Sequence, residues 1–296
     1  MAFIEAKDLV KVYSTGSIEV QALRGLNIEI EEGQFVSIMG PSGSGKTTLL
    51  NILGGLDTPT AGKVIVQGVS LGQLSFNNIV KFRREVVGHI FQSFNLIPTL
   101  TAYENVELPM IAAGKPRNER HDRIMELLSI LGIADRAKHK PDELSGGEQQ
   151  RVAIAAALAN DPPIILADEP TGELDTTNAR MIVDYLNKIN KEMGKTIIMV
   201  THDPSVARKT QKIFRIEDGR IIAAVRPSEL KEETSAKSYG EQIRLRIEAL
   251  DEELRELDEE FKSGRIDGDQ YSENRLRIKK IKEALIEELH RMGESI

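Results

Sequence analysis

Residues 40–47 read Gly-Pro-Ser-Gly-Ser-Gly-Lys-Thr, the spacing G-x-x-x-x-G-K-[ST]. The apolar run Phe35–Met39 precedes it, and Thr48–Leu53, which reads as helix, follows. Strand, glycine loop, helix is the setting in which this pattern grips phosphate. Glycines let successive backbone N–H groups turn toward one anion, and the helix N-terminus adds partial positive charge. Lys46 is placed to reach the β- and γ-phosphates, and the Thr47 hydroxyl to ligate Mg²⁺. The expected ligand is a nucleoside triphosphate with its metal.

A second chemical site stands further on. Ile164–Ala167 is a continuous apolar run, bounded by Pro162-Pro163 and Pro170, that ends in Asp168 and Glu169. Such a run suits a strand buried on both faces of a parallel sheet. Open α/β sheets bind ligands at the C-terminal ends of their strands. Asp168 is placed to hold Mg²⁺ through water, and Glu169 to act as general base on an attacking water. Between the two sites lies Leu144-Ser145-Gly146-Gly147-Glu148, a second glycine-rich turn before a helix expected to begin near Glu148. Read alone, it fits either a second anion grip or an ordinary Ser N-cap.

In combination and order, these segments resemble the ATP-binding subunits of ABC transporters over residues 3–225. The resemblance implies an α/β fold: a P-loop NTPase core of the RecA-like type, an antiparallel β-subdomain and an α-helical subdomain. It implies that Gly40, Ser42, Gly43, Ser44, Gly45, Lys46, Thr47 and Thr48 hold the phosphates of ATP. Tyr13 matches the aromatic that stacks on adenine, although alone it fits a packing aromatic as well. Gln92, in His89-Ile90-Phe91-Gln92, matches a glutamine that contacts Mg²⁺ and the water. His202, after Thr196–Thr201, matches a histidine that touches the γ-phosphate. Leu144–Glu148 looks like the signature motif, and Gly172-Glu173-Leu174-Asp175 like the D-loop. In the family, Ser145, Gly146 and Gly147 would meet the γ-phosphate held by a second copy, in a head-to-tail, two-fold dimer around two ATPs. Two positions depart from the pattern: Glu148, where Gln is usual, and Ala156, where Arg is usual.

Three segments are closest to the group of lipoprotein-releasing, macrolide-exporting and cell-division ATPases (LolD, MacB, FtsE). They are Phe35–Leu56, Phe91–Asn105 and Ile165–Asp175. This implies a partner: an integral membrane permease of the MacB or FtsX type, on which the ATPase does mechanical work. The implied location is cytoplasmic, peripheral on the inner face of the membrane.

Composition agrees with that picture. Among 296 residues, 40% are hydrophobic, enough for a core with an attachment. A net charge of −7 gives no nucleic-acid footprint. There is no cysteine, so disulfides and thiolate metal sites are excluded. No apolar run approaches the ~20 residues of a membrane helix, and no signal peptide is read.

The ATP-binding domain is expected over 1–226, with its helical part over about 93–160. Strands are expected at Ala2–Leu9, Ala22–Ile30 and Gly62–Gly68. Ile124, Leu127, Leu128 and Leu131 predict a helical arm over Arg120–Leu131. Phe94, Leu96, Ile97, Leu100 and Tyr103 form an apolar stretch, read either as a permease groove or as buried loop anchors. Asp218-Gly219 predicts a hairpin turn.

Residues 227–240 read as a linker. From 241 to 296 a helical hairpin is expected. Ile243, Ile247, Leu250, Leu254, Leu257 and Phe261 make a heptad seam, Ser263–Gly268 break it, and Ile278, Ile281, Leu285, Leu289 and Met292 follow. The leading function is an ATPase of an export or mechanotransmission complex. The rival, favoured by the tail, is an ATP-gated regulatory or scaffold protein without solute transport.

Overall fold

The structure, a computed structural model, describes residues 2–16 and 18–230, and beyond them separate helical positions between Ile247 and Ile286. The chain divides into two units, Met1–Leu230 and Lys231–Ile296. In chain order the first unit comprises β1 (Ile4–Thr15), β2 (Ile18–Ile30), β3 (Phe35–Met39), α1 (Lys46–Leu53), β4 (Ala61–Val66), β5 (Val69–Ser70), α2 (Phe76–Glu85), β6 (Val87–Ile90), α3 (Ala102–Ala112), α4 (Arg117–Ile130), α5 (Gly146–Leu158), β7 (Ile164–Asp168), α6 (Thr176–Met193), β8 (Thr196–Thr201), α7 (Pro204–Ala207), β9 (Lys212–Glu217) and β10 (Arg220–Val225).

Two sheets result. One is antiparallel, in the order β2-β1-β4-β5; the other runs β10-β9-β3-β8-β7-β6. In the second, β9, β3, β8, β7 and β6 are mutually parallel, and β10 returns antiparallel on β9. Asp218 and Gly219 make that return with φ of 45° and 74°, the paired positive values a tight hairpin needs.

The parallel strands are apolar on both faces because both faces are covered. Phe35, Ile165, Ala167, Ile197 and Met199 pack with buried residues of α3, α4, α5 and α6. The alternate positions Val36, Ile38, Leu166, Ile198 and Val200 pack with α1 and the antiparallel sheet. On α4, Ile124, Leu127 and Leu128 are buried, on the face their spacing predicts. α3 begins at a Thr101–Glu104 capping box, and buried Asn105 ties down the loop before it. The Asn105 amide donates to the Ile97, Leu100 and Thr101 carbonyls and accepts from the Ile97 N–H.

β1 and β2 run longer than expected because irregular pairing bends them without ending the ladder. Three helices, α2, α6 and α7, have no counterpart in the sequence expectations, and α3 falls within the helical part expected over 93–160.

In the second unit, Leu250 and Leu257 are buried and Ile247 packs against Leu285 and Ile286. Phe261 stacks on Tyr271 at 4.3 Å, and the Tyr271 hydroxyl donates to Asp258 Oδ1 at 2.7 Å. Among the described residues of this unit, early positions thus meet late ones and the middle positions meet each other. Residues 231–240 of the expected linker, the expected break at Ser263–Gly268, and Ile243, Ile281, Leu289 and Met292 lie outside the described residues.

His89 on β6 carries a pH dependence. Its ring stacks on Phe91 at 5.6 Å. Burial lowers its pKa from 6.5 to about 4; the Gly54 backbone opposes the shift and the Arg83 charge adds to it. Between those values the unfolded chain takes up a proton that the folded chain does not. The His89 contribution to stability is therefore complete above pH 6.5 and is lost as pH falls. His89→Phe should remove about 2–3 kcal/mol of the stability lost between pH 6.5 and 4.5. Urea midpoints of both proteins at the two pH values measure this, and equal losses would exonerate the ring.

Candidate active site

Parallel pairing decides where the loops emerge. Met39 pairs with Thr201 of β8 and with Arg215 of β9. Asp168 pairs with Val200, and Ile90 with Ala167. The chain therefore leaves one sheet edge at Gly40, Glu169, His202 and Phe91. This C-terminal edge is where open α/β sheets bind ligands.

The glycine loop packs closely on its surroundings. A Cβ on Gly40 would lie 2.1 Å from the Ile216 carbonyl oxygen, and one on Gly45 would lie 2.5 Å from that of Ala22. Gly45 also has φ of 98° and starts α1 with no side-chain cap. Ser44 is buried, and its Oγ has no hydrogen-bond partner among the described residues. An orphaned hydroxyl beside uncapped N–H groups fits a phosphate oxygen. Lys46 is buried and donates to the Gly40 and Pro41 carbonyls at 2.9 and 2.7 Å. Burial lowers its pKa, and the charges of Glu169 and Asp168 oppose the shift. Ser42, Gly43 and Thr47 are exposed, and Thr48 is half-buried.

The acids come to this loop. The Thr47 hydroxyl donates to Asp168 Oδ1 at 3.3 Å. Burial raises the Asp168 pKa, and the Thr47 hydrogen bond opposes it. Among the described residues, no cluster of three or more His, Cys, Asp or Glu could hold a metal. A hydroxyl and a carboxylate are hard oxygen donors, of the kind Mg²⁺ takes when phosphate supplies further oxygens. Glu169 has φ of 44°, a strained value for a side chain with a Cβ. Its N–H donates to the Val200 carbonyl at 3.0 Å, and its own carbonyl accepts from Gly172 N at 3.0 Å. That turn brings Glu169 Oε2 to 2.9 Å from His202 Nδ1. Gln92 lies over the same turn: a Cβ on Gly172 would be 3.0 Å from its Nε2.

Tyr13 stands nearby and is 40% exposed. Its hydroxyl donates to Asp57 Oδ2 at 2.7 Å, and Lys11 Nζ lies 4.7 Å over the ring and 2.6 Å from Asp57 Oδ1. Asp57 and Lys11 carry no motif that the sequence reading could use.

The Ser145-Gly146-Gly147 turn sits elsewhere, and among the described residues no hydrogen bond joins it to the phosphate loop. Ser145 caps α5 in a reciprocal box with Glu148. Gly147 packs on α6, where an added Cβ would lie 2.5 Å from Asn178 Oδ1. The Asp175 carboxylate caps α6, accepting from the Thr177 and Asn178 N–H groups and from Asn178 Nδ2. Asn178 thus links the Ser145 turn to Asp175 at the end of the Gly172–Asp175 turn, and no spacing rule points to it.

A cavity of about 470 Å³ is lined by Phe91, Phe94, Leu96, Ile97, Leu108 and Ala156 among others. Leu100 and Tyr103 do not line it. The Tyr103 hydroxyl instead meets His121 Nδ1 at 3.2 Å.

The chain is similar in sequence and fold to known proteins. The family model described as ABC transporter matches residues 23–172. An uncharacterised ABC transporter ATP-binding protein of Thermotoga maritima is 52% identical over 218 residues, covering 74% of this chain and 93% of that protein. The macrolide export ATP-binding/permease protein MacB of Hyphomonas neptunium is 46% identical over 220 residues. That match covers 74% of this chain and 34% of MacB, so the chain spans about a third of MacB's length. The ATP-binding cassette MJ0796, in a dimeric post-hydrolysis state bound to ADP and Pi, superposes with a TM-score of 0.70 at 48% identity, covering 76% of this chain and 98% of that one. An uncharacterised protein of that name comes from Methanocaldococcus jannaschii and is 50% identical over 222 residues.

The contact of Gly147 with Asn178 on α6 is testable. Gly147→Ala should lower stability by about 1–3 kcal/mol through overpacking against Asn178. Adding Asn178→Gly should recover part of that loss in a double-mutant cycle of urea unfolding. Strict additivity would show that the contact is not the cause.

Proposed function

The chain belongs to the ABC transporter family of ATP-binding cassettes, and from that premise we propose that it closes head-to-tail with a second copy around two ATPs to drive a membrane permease. It is an ABC ATPase, and the reaction is ATP plus water to ADP and phosphate. The observation that carries the proposal is the separation of its two anion-binding turns. The phosphate loop gathers Lys46, Asp168, Glu169 and His202, while the Ser145 turn faces other neighbours. A second copy supplies the missing half, and the dimeric MJ0796 cassette supports that arrangement.

In this reading the loop N–H groups, Ser44 and Lys46 hold the phosphates. The Thr47 hydroxyl and the Asp168 carboxylate would hold Mg²⁺, with Gln92 nearby; when bound, the ion neutralises charge on the β- and γ-oxygens. Glu169 takes the proton of the attacking water. An ionised carboxylate only accepts, so His202 Nδ1 carries the hydrogen of their shared bond and fixes the orientation of Glu169. Tyr13 lies under the adenine.

The apolar cavity beside Phe94 and Ile97 supports permease docking, and so does MacB, whose name joins an ATP-binding part to a permease. In that arrangement this chain sits on the cytoplasmic face of the membrane. Among the described residues no helix is long and apolar enough to cross a membrane. The second unit, Lys231–Ile296, favours the rival scaffold reading.

Glu169→Gln should slow hydrolysis by at least about 100-fold while ATP binding persists. Unchanged turnover would remove Glu169 as the base. Purification from native membranes separates the two readings. A polytopic membrane protein recovered with the chain supports the transporter, and a soluble partner supports the scaffold.

A further inference from the structure

Ser145 has a single hydroxyl proton, and Glu148 holds it. Ser145 Oγ donates to Glu148 Oε2 at 2.8 Å, and the Ser145 N–H donates to the same oxygen at 2.9 Å. Glu148 Oε1 accepts from Arg136 Nε at 3.1 Å. Arg136 comes from a separate short turn, Ala134–Arg136, and has a more distant second carboxylate, Asp135, at 3.6 Å. The Ser145 N–H, then its hydroxyl, then Arg136 hold the Glu148 carboxyl below its usual range, against burial.

A charged carboxylate accepts hydrogen bonds and cannot return a donor to the turn. The Ser145 hydroxyl must therefore leave a charge-assisted bond before it can donate to an incoming anion. A full negative charge also stands within the first turn of α5, where the helix N-terminus would otherwise favour that anion. Arg136 offsets this charge from outside the helix.

We propose that Glu148 and Arg136 are a positioning pair that sets how readily the Ser145 turn takes the γ-phosphate held by a second copy. Glu148 restrains the turn and Arg136 counterbalances it. The inference rests on the reading that two copies close on ATP through this turn.

The test uses the full chain carrying Glu169→Gln, so that ATP persists, with light scattering to find the ATP concentration of half-maximal dimer. Glu148→Gln keeps the capping box, because Gln serves at that position too. It should lower that concentration about fivefold to tenfold. Arg136→Gln should raise it about threefold or more, Arg136→Lys should restore it, and Arg136→Gln should have no effect once Glu148 is Gln. Fluorescent nucleotide binding to the monomer should not change in any variant. No shift with Glu148→Gln, or an Arg136→Gln effect of equal size in both backgrounds, overturns the pair. If the Glu169→Gln parent itself never dimerises with ATP, the two-copy reading fails and the inference falls with it.

Discussion

The pairing of β3 between β8 and β9 is the constraint on which the site depends. It sets Met39 against Thr201, so the phosphate loop and His202 start from neighbouring points on one edge. β7 lies on the other side of β8, which brings Asp168 and Glu169 to the same edge. Successive residues of a strand face opposite sides. A one-residue slip would turn Val36 and Ile38 toward the helices and Phe35 toward α1, which both cores resist. Packing on two faces thus holds catalytic geometry that no side chain in the site could hold alone.

The three helices that begin near glycine-rich turns satisfy their first N–H groups differently. α1 begins at Gly45 with no side-chain cap, which leaves its donors for phosphate. α6 is capped by Asp175, which accepts from two of its first N–H groups, and α5 by Ser145 with Glu148. A capped terminus is more stable by itself and less open to an anion. The contrast leaves the donors of one turn open and those of the other two engaged within the chain. Asn178 joins the second and third turns by touching Gly147 while binding Asp175. Movement of the α6 cap must therefore disturb the start of α5.

Much of the core was legible beforehand. Phe35–Met39, Ile164–Asp168 and the arm with Ile124, Leu127 and Leu128 appear where runs and spacings place them. Those signals are local, because burial imposes its period directly on the residues. α6 has a readable stripe in Ile182, Val183, Leu186 and Ile189, yet its first turn reads as polar loop. The length of β1 escaped because bulges let a strand continue through polar residues. Leu100 and Tyr103 look like Phe94 and Ile97 in sequence but do not line the cavity. Loop geometry, with Phe94 and Asn95 both at positive φ, decides which side chains reach it.

The chemistry is carried by residue types and their spacing. Glycine where any Cβ collides, lysine and threonine at fixed offsets, and two acids ending a buried strand allow few other readings, because phosphate binding is a backbone requirement written in residue types. The partnerships come from three-dimensional packing: His202 with Glu169, Asn178 with Gly147, and Arg136 with Glu148. The first two pairs join residues far apart in the chain. The third joins separate elements a short way apart. No local periodicity encodes any of them, so they exist only once sheet order and helix packing bring the groups into contact.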